Sequence, residues 1–293
     1  MSGLQVEGLV LKNYGGFYYV QDDEGKIYEC KLRGKIKIQV LSGDRVVISL
    51  LEPGKGVLEE VLPRNSELYR PKIANVTLLL IVMTNNQPAP SLYLLDRLLF
   101  LAYYNNLSPY IILNKYDLKK HPNAAHIENY YPSKGFKVIR TSATKKIGIE
   151  AIKEVISGQI AVFAGPSGAG KSSLLNTLLE DVNIKTQEVS KKIGRGRHTT
   201  RHVELFSLPG GGYIADTPGF STLDMPNIES REISNYFPDF SEYINECKFN
   251  DCLHFKEKGC RVQQAVSEGN ISEFRYNNYL SMLEEVRAKE RCF

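Results

Sequence analysis

The stretch that most limits what this chain can fold into is residues 160–173. An apolar run at 160–164 leads into Gly165, Pro166, Ser167, Gly168, Ala169, Gly170, Lys171 and Ser172, with Ser173 behind them. The eight residues 165–172 fit G-x-x-x-x-G-K-[ST], and 173–179 resumes with helix-compatible spacing. A strand, a glycine-rich turn and a helix start form the context this motif requires. The glycines let backbone N–H groups converge on phosphate oxygens, and the helix N-terminus adds partial positive charge. Lys171 is expected to reach the β- and γ-phosphates and the Ser172 hydroxyl to ligate Mg²⁺. An ordinary glycine-rich turn is the bland alternative, and it leaves the flanking strand and helix unexplained. The motif predicts a nucleoside triphosphate site.

The chain around it alternates strand-like and helix-like runs. Residues 76–83 form a continuous apolar run, as expected of a strand covered on both faces. Helical periodicity at 92–104 and 149–156 alternates with strand-like runs at 110–113, 138–140 and 160–164, which predicts a mostly parallel α/β sheet. Asn114, Lys115, Tyr116 and Asp117 directly follow one of these strands. Asp117 can accept hydrogen bonds from guanine N1–H and its 2-amino group, a donor pair that adenine lacks. Leaving such a carboxylate unpaired under a base costs several kcal/mol, so this position discriminates strongly. Asn114 and the Lys115 stem complete the base pocket. Ser142 and Ala143, after the next strand, are expected to contact guanine through backbone groups.

Asp216, Thr217, Pro218 and Gly219 follow an apolar run at 213–215. Asp216 is expected to hold Mg²⁺ through a water and the Gly219 N–H to meet the γ-phosphate, in the manner of switch regions that order around that group. A plain Pro-Gly turn is the alternative. Between the two phosphate motifs, residues 185–201 carry six basic side chains against one acid, a net +5 on a chain whose total is +4. Gly194, Arg195, Gly196, Arg197, His198, Thr199 and Thr200 form the core of this segment. It reads as a flexible switch that pairs with RNA phosphates, or otherwise as a solvated basic loop.

Residues 2–62 have a different character. Short β-branched and aromatic runs at 6–11, 16–21, 26–31 and 45–51, separated by turn residues, predict a small five-stranded barrel of the OB type. Lys31, Arg33, Lys35 and Lys37 alternate on it near several aromatics, a pattern suited to nucleic acid. Ten basic and ten acidic residues within 1–70 leave a solvated face as the alternative. Residues 63–71 read as a linker.

Near the other end, Cys247, Cys252, His254 and Cys260 form C-x4-C-x-H-x5-C. Three thiolates and an imidazole suit tetrahedral structural Zn²⁺ with no open position. Buried free thiols with a surface histidine are the alternative. Five cysteines make an odd count for a disulfide framework, so a reducing compartment, the cytoplasm, is expected. The run at 76–83 is far short of the ~20 residues that cross a bilayer, and no secretory signal is recognisable. The expected layout is 1–65 barrel, 66–222 GTPase domain and 223–293 zinc-binding domain with C-terminal helices.

The base reader comes before the phosphate loop, the reverse of the usual order in guanine-nucleotide switches. In that order, and in its barrel and cysteine cluster, the chain resembles the circularly permuted, small-ribosomal-subunit-dependent GTPase family, RsgA (also called YjeQ or YloQ). The resemblance covers essentially the whole chain. It rests on residues 114–117, 165–173, 194–200 and 216–220 and on the set Cys247, Cys252, His254 and Cys260. It implies a GTPase that binds the 30S subunit and its 16S rRNA as a late assembly checkpoint, hydrolyses GTP when stimulated by it, and leaves. A monomer that avoids membranes is expected. Phe220 stands where many GTPases carry a water-orienting glutamine, so intrinsic hydrolysis should be slow. The resemblance makes His198 the candidate catalytic residue and Thr199 and Thr200 competitors for magnesium, while the charge of the basic segment makes Arg195 and Arg197 candidate RNA contacts. Two other function classes stay open: a GTP-sensing RNA-binding scaffold without turnover, and a P-loop nucleotide kinase, which would transfer phosphate to GMP.

Overall fold

The computed structural model describes residues 4–69, 71–190, 203–216 and 224–291, with only the backbone of 181–190. Five strands near the start, β1 (Gln5–Tyr14), β2 (Phe17–Asp22), β3 (Ile27–Leu32), β4 (Arg45–Glu52) and β5 (Lys55–Val61), close into a barrel of order β1-β2-β3-β5-β4. Alternation along the strands sends Val10, Val20, Cys30, Val46, Ile48 and Leu58 inward, where they form one buried cluster. The β3–β5 pairing is parallel and the other pairings in the barrel are antiparallel. This is the expected five-stranded OB-type barrel.

The expected linker at 63–71 holds structure of its own. β6 (Glu67–Tyr69) and β7 (Lys72–Ala74) pair antiparallel. Arg64 pins this stretch, with Nε 2.7 Å from Asp44 Oδ1 and Nη2 2.8 Å from Oδ2. Asp44 is fully buried, so the two-point ion pair compensates its desolvation.

The remaining elements are β8 (Leu78–Thr84), α1 (Leu92–Tyr104), β9 (Ser108–Asn114), α2 (Pro122–Ser133), β10 (Val138–Arg140), α3 (Ile149–Ile156), β11 (Ile160–Ala164), α4 (Lys171–Ser190), β12 (Glu204–Ser207), β13 (Tyr213–Asp216), α5 (Ser241–Ile244), α6 (Arg261–Ser267) and α7 (Glu273–Glu290). A six-stranded sheet runs in the order β10-β9-β8-β11-β13-β12. The β10–β9 and β11–β13 pairs are parallel, while β12 returns antiparallel to β13. Every residue of β8 and β11 is buried, which explains their unbroken apolar character. Residues 185–190, expected in the basic loop, continue helix α4 instead.

The described residues fall into two compact units, one drawn from Met1–Leu80, Ser142–Ala164 and Gly170–Ser221, the other from Ile81–Thr141, Gly165–Ala169 and Thr222–Phe293. In the first, the barrel grips the β12–β13 hairpin. Lys12 Nζ lies 2.7 Å from Glu204 Oε1, Ser42 Oγ donates to the Val203 carbonyl at 2.7 Å, and Tyr213 OH donates to Gln21 Oε1 at 3.1 Å. In the second, the C-terminal elements share a core with α1. Phe100 and Leu101 pack with Ile233, Phe237, Phe240, Tyr279 and Met282.

Candidate functional site

The phosphate-loop residues occupy the turn that the sequence placed them in. Gly165 ends β11 at φ +129°, where a Cβ would stand 2.2 Å from the Val82 carbonyl oxygen, so glycine alone fits. Ala169 is buried, while Ser167 and Gly168 are exposed, leaving the middle of the turn open to a ligand. Helix α4 then begins at Lys171, with Ser172 and Ser173 exposed in its first turn. That turn carries no acidic side chain, so the positive dipole end of the helix favours an anion. Burial lowers the pKa of Lys171 below the usual lysine value, so a phosphate beside it would favour its charged form.

The base-reading stretch lies in the same unit as residues 165–169. Asn114 is 1% exposed and donates through Nδ2 to the Ala169 carbonyl at 2.9 Å, while its Oδ1 accepts from Thr141 Oγ1 at 3.1 Å. The first residue of the base reader is therefore hydrogen-bonded to the phosphate loop itself. Lys115 adopts φ +58°, and its ammonium donates to the Gln87 carbonyl at 2.6 Å. Tyr116 N–H donates to the Thr141 carbonyl at 2.9 Å, and its hydroxyl to Glu128 Oε1 at 2.9 Å. Lys120 and Arg140 also pair with Glu128. Burial raises the Glu128 pKa, but hydrogen bonds from Lys120 and Tyr116 and the Arg140 charge win, so it is held below the usual carboxylate range. Asp117 is exposed at the tip. Glu128 carries no motif, and nothing local in the sequence marks it.

Ser142 is fully buried and its backbone is already engaged: its N–H donates to the Ile147 carbonyl at 3.1 Å, and its carbonyl accepts from Ile147 N–H at 3.0 Å. A bonded carbonyl keeps a second lone pair, so Ser142 can still accept from a base, and Ala143 is half-buried. Asp216, in the other phosphate motif, ends β13 directly opposite Glu204 of β12. Burial, then repulsion from Glu204, raises its pKa. A serine hydroxyl at 172 and a carboxylate at 216 are hard oxygen donors, which fit Mg²⁺. Gly219, Arg195, Arg197, His198, Thr199, Thr200 and Phe220 lie outside the described residues.

Cys247, Cys252, His254 and Cys260 converge, with their ligand atoms all within 4.8 Å of one another. His254 Nδ1 is 3.5 Å from Cys247 Sγ and 3.4 Å from Cys260 Sγ. Ordinary Zn–S and Zn–N lengths put the S···N edge of a tetrahedral site at about 3.5 Å. The donor set and spacing therefore fit zinc. Burial pushes the Cys252 thiol up to about 12 and lowers the His254 pKa. A dication is the group that would convert these thiols to thiolates. Cys30 belongs to the barrel core, as expected of a cysteine outside this cluster.

Comparison with known proteins decides the family. A profile described as RsgA GTPase matches residues 61–226, more than half of the chain, and one described as RsgA N-terminal domain matches 7–58. The chain belongs to the RsgA GTPase family. Among its RsgA relatives, the small ribosomal subunit biogenesis GTPase RsgA of Carboxydothermus hydrogenoformans is 49% identical over 98% of this chain and 99% of that protein. The protein of the same name from Moorella thermoacetica is 47% identical over 98% and 100%. Among solved structures, YjeQ from Thermotoga maritima aligns with a TM-score of 0.84 at 36% identity, covering 97% of this chain and 99% of that one. YloQ, described as a circularly permuted GTPase, aligns at 0.82 and 34%, covering 98% and 97%. Like other members of the RsgA family, the chain is a GTP hydrolase on a circularly permuted fold.

Proposed function

We propose that this GTPase serves the small (30S) ribosomal subunit as a late assembly checkpoint: it binds the subunit and its 16S rRNA in the GTP state, hydrolyses GTP when the subunit stimulates it, and leaves. The observation that carries this reading is identity of 47–49% over 98% of the chain to relatives named for small-subunit biogenesis. In this reading Asp117 accepts from guanine N1–H and the 2-amino group, Lys115 lies along the base, and Asn114 joins that pocket to the phosphate loop. Ser142 and Ala143 supply the further backbone contacts to guanine. The N–H groups of 165–170, Pro166 apart, and of the first turn of α4 cradle the phosphates, with Lys171 at the β- and γ-oxygens.

Ser172 and Asp216, with Thr199 or Thr200, would hold Mg²⁺, which spreads the charge developing on the transferred phosphoryl group. Gly219 would donate its N–H to the γ-phosphate and His198 would orient water. Cys247, Cys252, His254 and Cys260 would hold one structural zinc. Lys31, Arg33, Lys35, Lys37, Arg195 and Arg197 would meet rRNA phosphates, with the protein acting as a cytoplasmic monomer.

Steady-state hydrolysis of GTP, with ATP as control, measured with and without purified 30S subunits, tests the proposal. Stimulation of at least tenfold, confined to GTP and to 30S, is expected. A rate unmoved by 30S would remove the ribosomal assignment and leave the GTPase standing. Tight subunit binding without turnover would instead make the chain a GTP-sensing scaffold.

A further inference from the structure

Asn85 directly follows β8 and is 2% exposed. Three of its polar groups bond to one stretch of chain. Its N–H donates to the Asn114 carbonyl at 2.8 Å, its carbonyl accepts from His121 N–H at 2.8 Å, and its side-chain Nδ2 donates to the Leu118 carbonyl at 2.7 Å. These partners bracket the base-reading residues Asn114–Asp117, and Leu118 is the residue immediately after Asp117. The next residue reinforces the grip, with Asn86 Nδ2 donating to the Lys119 carbonyl at 2.6 Å. Gln87 then offers its carbonyl to the Lys115 ammonium.

The bracketed loop needs such support. Lys115 sits in the left-handed region, which costs a non-glycine residue roughly 1–2 kcal/mol and persists only where surroundings over-determine it. Asp117 must present two oxygens to two donors on one base edge, and such bidentate recognition tolerates about half an ångström of misplacement. Asp117 is exposed, and the backbone that carries it sets where its carboxylate starts from. That backbone is fixed at 116 by Thr141 and at 118 by the Asn85 amide.

We propose that Asn85 is a specificity-positioning residue: its side-chain amide, by holding the Leu118 carbonyl, sets the Asp117 carboxylate where the guanine 2-amino group is read. The inference rests on the reading of Asp117 as the base reader. A staple that merely stabilised the fold would weaken all nucleotides alike. A positioning residue changes the ratio between bases.

GDP and IDP differ only in that 2-amino group, so equilibrium binding of both to the full-length protein separates the two roles. Asn85→Ala removes the donor, and Asn85→Leu removes it at nearly the same volume. For both we expect the GDP-over-IDP preference to fall about fivefold or more, with the kcat of saturating GTP changed less than twofold. Asn86→Ala, at a half-buried site, should lower the preference in the same direction by a smaller factor, and it decides the matter if the Asn85 variants fail to fold.

Asp117→Asn with GDP and XDP is the control for the reading beneath. If it does not move preference toward XDP, the base-reader assignment itself fails and this inference falls with it. If it does, and the folded Asn85 variants keep the wild-type GDP-over-IDP ratio, Asn85 has no positioning role. An unchanged ratio in Asn86→Ala overturns the proposal equally when it is the variant that folds.

Discussion

At the scale of single residues, the most consequential side chain outside the nucleotide site is Arg275. It is 1% exposed, with Nη1 2.6 Å from Asp96 Oδ1, Nε 3.0 Å from Asp239 Oδ2 and Nη2 3.0 Å from Asp239 Oδ1. Tyr131 and Asn278 also donate to Asp96, and Tyr130 donates to Asp239. Burial would raise Asp239, but the Arg275 charge and hydrogen bonds win and hold it below the usual carboxylate range. Asp96 is raised, because there burial outweighs Arg275. With its folded pKa depressed, Asp239 contributes stability above about pH 4 that is lost as pH falls through the folded value. Arg275→Met reverses the sign at Asp239. Burial then raises its pKa, so the folded variant is favoured below about pH 4 and loses ground as pH rises through the raised value. Breaking such a pair costs about 3–5 kcal/mol. Urea unfolding should therefore show a loss of this size at pH 7.5 and a smaller one at pH 5. An equal loss at both would mean that the carboxylates are not coupled to Arg275.

At the scale of elements, the cysteine cluster organises the C-terminal helices. Cys260 Sγ accepts from Gln263 N–H at 3.5 Å as the N-cap of α6, and Cys247 Sγ accepts from Arg261 N–H at 3.4 Å. From α7, Tyr276 OH donates to the His254 carbonyl at 2.7 Å and Tyr279 OH to the Leu253 carbonyl at 2.8 Å. A bound metal would thus fix the start of α6 and one face of α7. Elemental analysis should find one zinc per chain, absent in Cys260→Ser. A loss of about 3 kcal/mol on its removal lowers Tm by roughly 12–24 °C where a domain of about 70 residues melts as one unit. Zinc-free protein that melts where the native protein does would return the cluster to buried free thiols. Elements with their own periodicity were legible beforehand: α1, α3 and β11 have the bounds that the apolar spacing predicts. Helix α2 was not, because Pro122, Asn123 and Pro132 hide it and just Ala124, Ile127 and Tyr131 are buried. The β6–β7 hairpin depends on Arg64 reaching Asp44, 20 residues away, and no local pattern encodes that. The same holds at the site. Phosphate and guanine chemistry dictate the residue types at 114–117 and 165–172, so those could be read, whereas Asn85 acts through a bond spanning 33 residues.

At the scale of the whole molecule, charge bears on the proposal that the chain holds rRNA. A net charge of +4 over 293 residues gives little long-range attraction, and the barrel region is neutral, so affinity must come from local contacts. The barrel's candidate cations are not equivalent. Arg33 pairs with Glu59, and Lys35 Nζ lies 3.8 Å from the same carboxylate. Hydrogen bonding from Arg33 lowers the Glu59 pKa against the effect of burial, so the acid stays charged at neutral pH and offsets them. Lys31 is exposed and stands 5.6 Å over the Phe17 ring, a pairing of cation and aromatic face suited to a phosphate and its neighbouring base, and Lys37 is exposed as well. Each phosphate neutralised contributes about 0.7–0.9 to the slope of log K against log salt. Binding of Lys31→Ala/Lys37→Ala protein to 30S subunits between about 50 and 200 mM salt, over which the Debye length falls roughly twofold, should be weaker, with a slope shallower by about 1.4–1.8. Arg33→Ala should change the slope less, because the Glu59 charge it leaves behind already cancelled it. A double variant with the wild-type slope would show that the barrel's basic stripe faces solvent on the subunit, and that the phosphate contacts come from elsewhere in the chain.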